Sequence, residues 1–531
     1  MTAATASPGA GAPPAASAAE EKIPLTLHIG FFAMVIGMFM SILDVQIVAS
    51  SIRQIQAGVA ASGEEIAWVQ TGYLIAEVVG IPLSGFLNRV FGLRRLFILS
   101  AGAFTVTSLL CALSWDLDSL IFFRAIQGFA GAAMVPTTMA AAFTLFPGGR
   151  SMTQQVMIGM VATLAPSIGP TLGGWVTEHL GWHWLFLINI GPGIAACVLV
   201  YLFVPKQKGD FALLRRLDVL GFAAMALFLG SLEWVVDEGP SAGWFTDRSI
   251  VYGAALCAVA GVIFFFRSFT YHTPIVDLMV FRNRNFWSGA MIATIVGLGL
   301  YGSVYILPLF LGQVRGFSPL QIGQIMSISG IAMFIGGPLS GALTKRYDPR
   351  LVVGIGIVLV TAGLWGNAQL TAQSGFNELM WPQALRGIGL IMTMVPVSNL
   401  ALGTLPPPMV ANASGLFTVV RNLGGAFGIA ALNTMTYHFT ALHEQEIASG
   451  LDPARPEVQA FLQQAEAAGA AHGLADPAAS AYAQLVMRMK IEAMTMTFNN
   501  LFMAMAMAFC LMLLALLVLK KPVNAPAGPA H

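Results

Sequence analysis

Residues 82–95 read PLSGFLNRVFGLRR, and residues 338–350 read PLSGALTKRYDPR. The tetrapeptides Pro82-Leu83-Ser84-Gly85 and Pro338-Leu339-Ser340-Gly341 are 256 residues apart. Each closes an even-numbered apolar run, and each leads into a short basic loop. Two runs later each half carries an Arg-Gly element, RAIQG at 124–128 and RGIG at 386–389, followed by Pro136 or Pro396. The register drifts by six residues between these landmarks, as an insertion produces. A tetrapeptide repeats easily by chance. Repetition at matching topological places marks a duplicated bundle, the architecture of many secondary transporters, whose substrate site lies between the repeats.

Outward from this pair, runs of spanning length lie at about 27–50, 65–87, 95–114, 119–144, 153–177 and 184–204. They continue at about 218–236, 249–267, 286–311, 320–343, 350–370, 378–402, 410–435 and 496–519. Each approaches the ~20 residues that a hydrocarbon core requires, whereas a membrane β-barrel shows alternating segments of about ten. The expected fold is therefore an all-α polytopic membrane protein. It has two pseudo-symmetric six-helix bundles, at 27–204 and 271–519, with two additional helices in 205–270 between them. Tails are expected at 1–26 and 520–531.

Composition agrees. Of 531 residues 56% are hydrophobic and 10% charged, against about 25% charged in a soluble chain. Mean hydropathy is +0.75. A net charge of +1 provides no field for nucleic acid. Cys111, Cys197, Cys257 and Cys510 stand singly in apolar runs and read as packing residues. The Ala/Pro/Gly/Ser-rich start lacks the basic segment of a signal peptide, so a disordered tail is expected there.

The loops orient the bundle. With the N-terminus inside, seventeen Lys/Arg fall on the cytoplasmic side: Lys22, three in 89–95, Arg150, four in 206–216, three in 267–284, three in 345–350, Lys520 and Lys521. Six fall outside: Arg53, Arg248, Arg315, Arg455, Arg488 and Lys490. The bias predicts cytoplasmic termini. The segment 438–494 is then a long periplasmic loop, weakly helical over 451–468 and after 478, and either a mobile connector or a docking surface.

The motifs carry a family resemblance. In the basic loop Gly85, Leu87, Gly92, Arg94 and Arg95 match the loop signature of the major facilitator superfamily, with Arg89 where an acid is usual. Arg124, Gln127 and Gly128 match its fourth-span motif. The stretch APSIGPTLGG matches the antiporter motif of span 5 through Gly169, Pro170, Gly173 and Gly174. Leu43-Asp44 opens a first-span signature that then departs, reading Gln46-Ile47-Val48-Ala49. WVQTGYLIA at 68–76 and IVDLMVFRNRNF at 275–286 are also family-typical. Over about residues 27–520 the chain resembles the fourteen-span drug:proton antiporters of the EmrB/QacA type, the EmrB side more than the QacA side. The resemblance implies a bacterial inner membrane, proton coupling through Arg124, and conformational roles for the loop and span-5 motifs. It also implies a periplasmic adaptor (membrane fusion) protein and, through it, an outer-membrane channel.

Membrane-embedded ionisable groups are costly and usually functional. Asp44 lies about 17 residues into span 1 and Arg124 about five below the outer end of span 4, so the two can meet. Such a pair can couple to protons or simply tie two helices together. Glu77 is about a dozen residues into span 2, near the midplane. It suits a proton carrier, a contact for a cationic substrate, or a neutral helix contact. Arg386 is the counterpart of Arg124 in the second half, and Arg421 with Asn422 sits in mid-span 13. These three, with Gln70 and Asn399, are candidates for substrate binding or charge balance. The Met-rich stretch MRMKIEAMTMTF reads as apolar packing, since no Cys or His clusters with it.

These features predict a proton-driven exporter of amphipathic or lipophilic compounds that needs no cofactor. A dedicated exporter of one metabolite, siderophore, fatty acid or lipid fits the same residues. No GxxxxGK[ST] loop occurs, which disfavours a nucleotide-driven pump. No nucleophile–base or metal constellation suggests an enzyme.

Overall fold

The computed structural model describes residues 24–62, 65–146, 151–272, 274–452, 455–472 and 474–517. Lys22, Arg150, Lys520 and Lys521, with the expected tails up to residue 23 and from 520 onward, lie outside the described residues. Among the described residues fourteen helices are long and apolar enough to cross a membrane, and no β-strand occurs. Spans 1–6 are Leu25–Ser50, Glu65–Phe91, Leu93–Ala112, Leu117–Thr144, Ser151–Leu180 and Trp184–Phe203. Spans 7 and 8 are Val219–Glu238 and Arg248–Thr270. Spans 9–14 are Arg284–Gln313, Leu320–Arg346, Pro349–Asn367, Phe376–Leu402, Pro408–Gly450 and Pro477–Leu516. The chain is an all-α polytopic membrane protein of the inner-membrane type.

Helices are what hydrocarbon demands, because each backbone polar group must be satisfied within its own segment. The same rule lets Pro82, Pro166, Pro170, Pro308, Pro338, Pro382 and Pro396 sit inside spans. Two spans break. Span 4 runs as Leu117–Gly131 and Met134–Thr144, and span 6 as Trp184–Leu187 and Ile190–Phe203 with Asn189 in the break. Polar caps set several starts. Asp116 accepts from the Ser119 amide at 2.8 Å while Ser119 Oγ accepts from the Asp116 amide at 3.2 Å. Hydrogen bonding from Ser119 holds the Asp116 carboxyl below its usual range. Asp218 caps span 7 and pairs with Arg267 of span 8 through bonds of 2.6 and 3.2 Å, closing that hairpin at its basic end.

The spacing of 256 reappears in the packing. A Cβ on Gly85 would lie 2.8 Å from Asn412 Cα, where span 2 meets span 13. One on Gly341 would lie 2.9 Å from Val156 Cγ2, where span 10 meets span 5. Gly85 and Gly341 are 256 apart, and so are Val156 and Asn412. The two contacts are repeat images of each other. A second pair behaves likewise: Gly128 rests on the Tyr73 backbone and Gly387 on the Ser329 carbonyl, with Tyr73 and Ser329 again 256 apart. This register shifts the expected pairing of arginines by about one helical turn. Gln383 stands four residues before its glycine, as Arg124 does, and Arg386 takes the place of Gln127.

The segment 438–494 is helical at the two expected stretches and beyond them. Span 13 continues as one helix to Gly450, span 14 begins at Pro477, and a further helix, Pro456–Ala471, lies between them. Thr440 donates to Thr497 at 3.3 Å, and His443 Nε2 meets Asn500 Nδ2 at 2.9 Å, joining the two long helices. Arg488 covers the Phe461 ring at 5.1 Å, docking the short one. At 1.5 Å per residue, 44 residues reach roughly 66 Å, about twice a hydrocarbon core. The segment is a helical stalk.

Candidate functional site

Spans 1, 3, 4 and 6 bring a polar cluster together inside the first six helices. Asp44 and Arg124 are both fully buried. Arg124 Nη1 donates to Asp44 Oδ2 at 2.5 Å and to Gln127 Oε1 at 2.8 Å, and its Nε donates to the Val69 carbonyl at 3.3 Å. Asp44 Oδ1 also accepts from Asn189 Nδ2 at 2.7 Å and from Gln127 Nε2 at 3.3 Å. The break in span 6 places Asn189 there, and Ser108 of span 3 holds it from behind at 3.1 Å. The Arg124 guanidinium lies 4.1 Å from the centre of the Tyr73 ring. Its Nη2 alone makes no hydrogen bond.

Tyr73 leads to the second element. Glu77 follows it by four residues on span 2, hence on the same helix face. Glu77 makes no hydrogen bond to any described residue. Its charged neighbours are Arg421 of span 13, then Arg124 and Asp44. Arg421 is 3% exposed; its Nη2 donates to Asn422 Oδ1 at 3.3 Å and its Nε has no partner. Tyr301 of span 9 donates to the same Asn422 oxygen at 3.4 Å. One carboxylate on span 2 therefore has an arginine of the first six spans and an arginine of the last six among its charged neighbours.

The basic-loop end of this seam is packed shut. Ile81, Ala132 and Val419 form a small apolar cluster across spans 2, 4 and 13. Beyond it Gln155 of span 5 accepts from Ser398 of span 12 at 3.1 Å. Toward the long-loop end span 7 lies against span 2. A Cβ on Gly230 would be 3.3 Å from Ile75, and Thr71 Oγ1 donates to Asp237 Oδ2 at 2.5 Å. Trp244, just past span 7, donates to Thr434 of span 13 at 2.9 Å. Glu233, one turn deeper than Asp237, is 7% exposed and makes no hydrogen bond to a described residue. Its charged neighbours are Asp237 and Glu77.

Glu233 and Asp237 were not among the sequence candidates. The signal was present: two acids four apart in an apolar helix share one face. Spans 7 and 8 fall outside the repeat, so the duplicated landmarks do not point to them.

The other candidates are scattered. Gln70 Nε2 donates to the Val45 carbonyl at 3.4 Å, a contact between spans 2 and 1. Asn399 sits near the basic end of span 12, beside Ser398 and apart from Glu77 and Arg421 in sequence position. Arg386 is buried among spans 10, 11 and 12, without an acid. Gly92 makes the turn between spans 2 and 3 with φ 76°, and Arg94 Nη1 donates to the Val204 carbonyl at 3.2 Å. Arg89 donates to the Pro274 carbonyl at 3.5 Å and has Asp277 as its charged neighbour. Asn412 clasps the Asp277 backbone, accepting from its amide at 3.2 Å and donating to its carbonyl at 2.8 Å. In span 5 Gly169 lies against Gln46, and Gly173 against Ile47, whose Cα would be 3.0 Å from a Cβ there. Pro170 and Gly174 lie on the same helix.

Comparison with known proteins agrees with this architecture. The Major Facilitator Superfamily profile matches residues 34–429. The chain is 45% identical over 436 residues to the colistin resistance protein EmrB of Acinetobacter baumannii, covering 82% of this chain and 85% of that one. It is 29% identical over 445 residues to the multidrug export protein EmrB of Escherichia coli K12, covering 83% and 86%. Among solved structures, the proton:xylose symporter XylE superposes with a TM-score of 0.56 at 12% identity, over 91% of this chain and 95% of that one. That last likeness is one of fold.

Proposed function

The chain belongs to the major facilitator superfamily and is a transporter related to EmrB-type exporters, and from that premise we propose that it is a proton-coupled antiporter exporting amphipathic or lipophilic compounds from the cytoplasm or inner leaflet. One observation carries the reading: Glu77 has no hydrogen bond to a described residue, and its charged neighbours include Arg421 of one half and Arg124 of the other. Charged, it draws span 2 toward span 13. Protonated, it releases that attraction, and the balance between the two faces of the carrier shifts. Turning a 1:99 balance into 99:1 takes about 5.5 kcal/mol of differential binding. Desolvated charges are the groups able to supply that.

Asp237, Glu233 and Glu77 form the route by which a proton reaches the seam from the long-loop end. Asp44 is locked by three side chains, so it fixes Arg124 over Tyr73 and thereby sets the field at Glu77. The contacts of Gly169 and Gly173 let span 5 run close to span 1, the freedom that rocking requires. The helical stalk at the long-loop end is the surface on which a periplasmic adaptor docks, and through it an outer-membrane channel. Exposed Tyr437, Leu442, Tyr482 and Met487 provide apolar contacts there. The test is proteoliposome transport of a fluorescent lipophilic cation with an internal pH reporter. Wild type couples uptake of the dye to proton release; Glu77→Gln uncouples them. Dye movement in wild type that ignores an imposed pH gradient sinks the proposal.

A further inference from the structure

The two halves hold their buried arginines differently. Arg124 has Asp44. Arg386 is 2% exposed, and its guanidinium makes no hydrogen bond to any described residue; its Nε and Nη1 are fully enclosed. It is not close to an acid. Spans 9, 10 and 11 contain no Asp or Glu, and span 12 contains only Glu378, in its exposed first turn.

Unpartnered polar atoms lie on the same three spans. Asn367 of span 11 is fully buried and its Nδ2 has no acceptor. Ser329 of span 10, whose carbonyl abuts Gly387, is 1% exposed with an unpartnered Oγ. Gln383 donates to Asn367 Oδ1 at 3.2 Å, leaving its own Oε1 free. Amides and hydroxyls can satisfy guanidinium protons but carry no negative charge. Arginine cannot discharge itself by losing a proton. A buried cation needs a counter-charge.

We propose that Arg386, with Asn367 and Ser329 as supporting donors, binds a monovalent anion between spans 10, 11 and 12, either a halide ion or the carboxylate of an amphipathic acid. The anion does for the second half what Asp44 does for the first. Because it is exchangeable, anion concentration becomes a variable of the carrier.

The test follows thermal unfolding of the full-length purified protein, starting in sodium gluconate at constant ionic strength. Chloride or bromide is titrated in one arm and octanoate in the other. A saturable rise in midpoint with halide alone identifies an inorganic ion. A rise with octanoate that halide competes away identifies a carboxylate headgroup. Either supports the site, provided Arg386→Gln weakens the response at least tenfold and the exposed Arg53→Gln does not. Should Arg386→Gln fail to fold, bromide anomalous density beside Arg386 in crystals of the wild type decides the matter. A midpoint unmoved by halide and octanoate, or an unchanged response in Arg386→Gln, overturns the proposal, as does bromide-soaked density without a peak there.

Discussion

At the scale of single residues, the buried charges fall into two kinds that mutation will separate. Asp44 accepts three side-chain hydrogen bonds and faces a fully buried guanidinium. Asp44→Ala leaves Arg124 uncompensated and should cost about 3–5 kcal/mol. Unfolding midpoints of Asp44→Ala, Arg124→Met and the double variant will show this, with the double variant more stable than the sum of the singles. Glu77 loses no hydrogen bond on becoming Gln, so stability should move by less than about 1 kcal/mol while coupling disappears. A Glu77→Gln protein that unfolds as readily as Asp44→Ala would make Glu77 structural instead. Asp44, Glu77 and Arg124 were legible because a charge inside an apolar run is conspicuous. Gln127 was legible only as part of the fourth-span motif, and Asn189 and Ser108 not at all, since uncharged polar residues acquire meaning only from what they touch. Arg386 was legible as a charge, but its difference from Arg124 needed the packing register of Gly128 and Gly387.

At the scale of elements, close helix contacts and one clasp control movement. A side chain at Gly173 meets Ile47 and Ser50, so Gly173→Val should overpack spans 1 and 5 by about 1–3 kcal/mol. Transport should slow while substrate still binds, a difference measurable by comparing dye binding in detergent with flux in proteoliposomes. At the basic end Asn412 holds the linker before span 9 by two bonds to Asp277, beside Arg89. Arg89 replaces the usual acid of this loop, and Asp277 supplies the acid from the opposite side. Asn412→Ala should loosen that closure, raising thiol-reagent labelling of a cysteine placed at Ser398; labelling equal to that of the parent would refute the clasp. The spans themselves were readable from hydropathy. The stalk was readable in part: the helical stretches at 451–468 and after 478 were legible, but not the unbroken run of span 13 to Gly450, where hydropathy falls after 435 while Ala, Glu and Gln keep helix propensity high.

At the scale of the molecule, the duplication seen as two PLSG segments becomes a pair of matching contacts, Gly85 with Asn412 and Gly341 with Val156. Spans 7 and 8 sit outside that symmetry, yet span 7 supplies two acids to the seam. Their effect should be on proton delivery, so Glu233→Gln with Asp237→Asn should slow coupled flux without abolishing dye binding. Cysteine crosslinking between the stalk and a co-expressed adaptor tests docking separately. Across the seam, a proton at Glu77 drives the exchange. Simultaneous recording of proton release and dye movement in proteoliposomes carrying wild type or Glu77→Gln tests it most directly. Linked fluxes in wild type and dye exchange indifferent to the pH gradient in Glu77→Gln are the predicted result; a variant that retains gradient-driven transport with unchanged coupling would contradict the account.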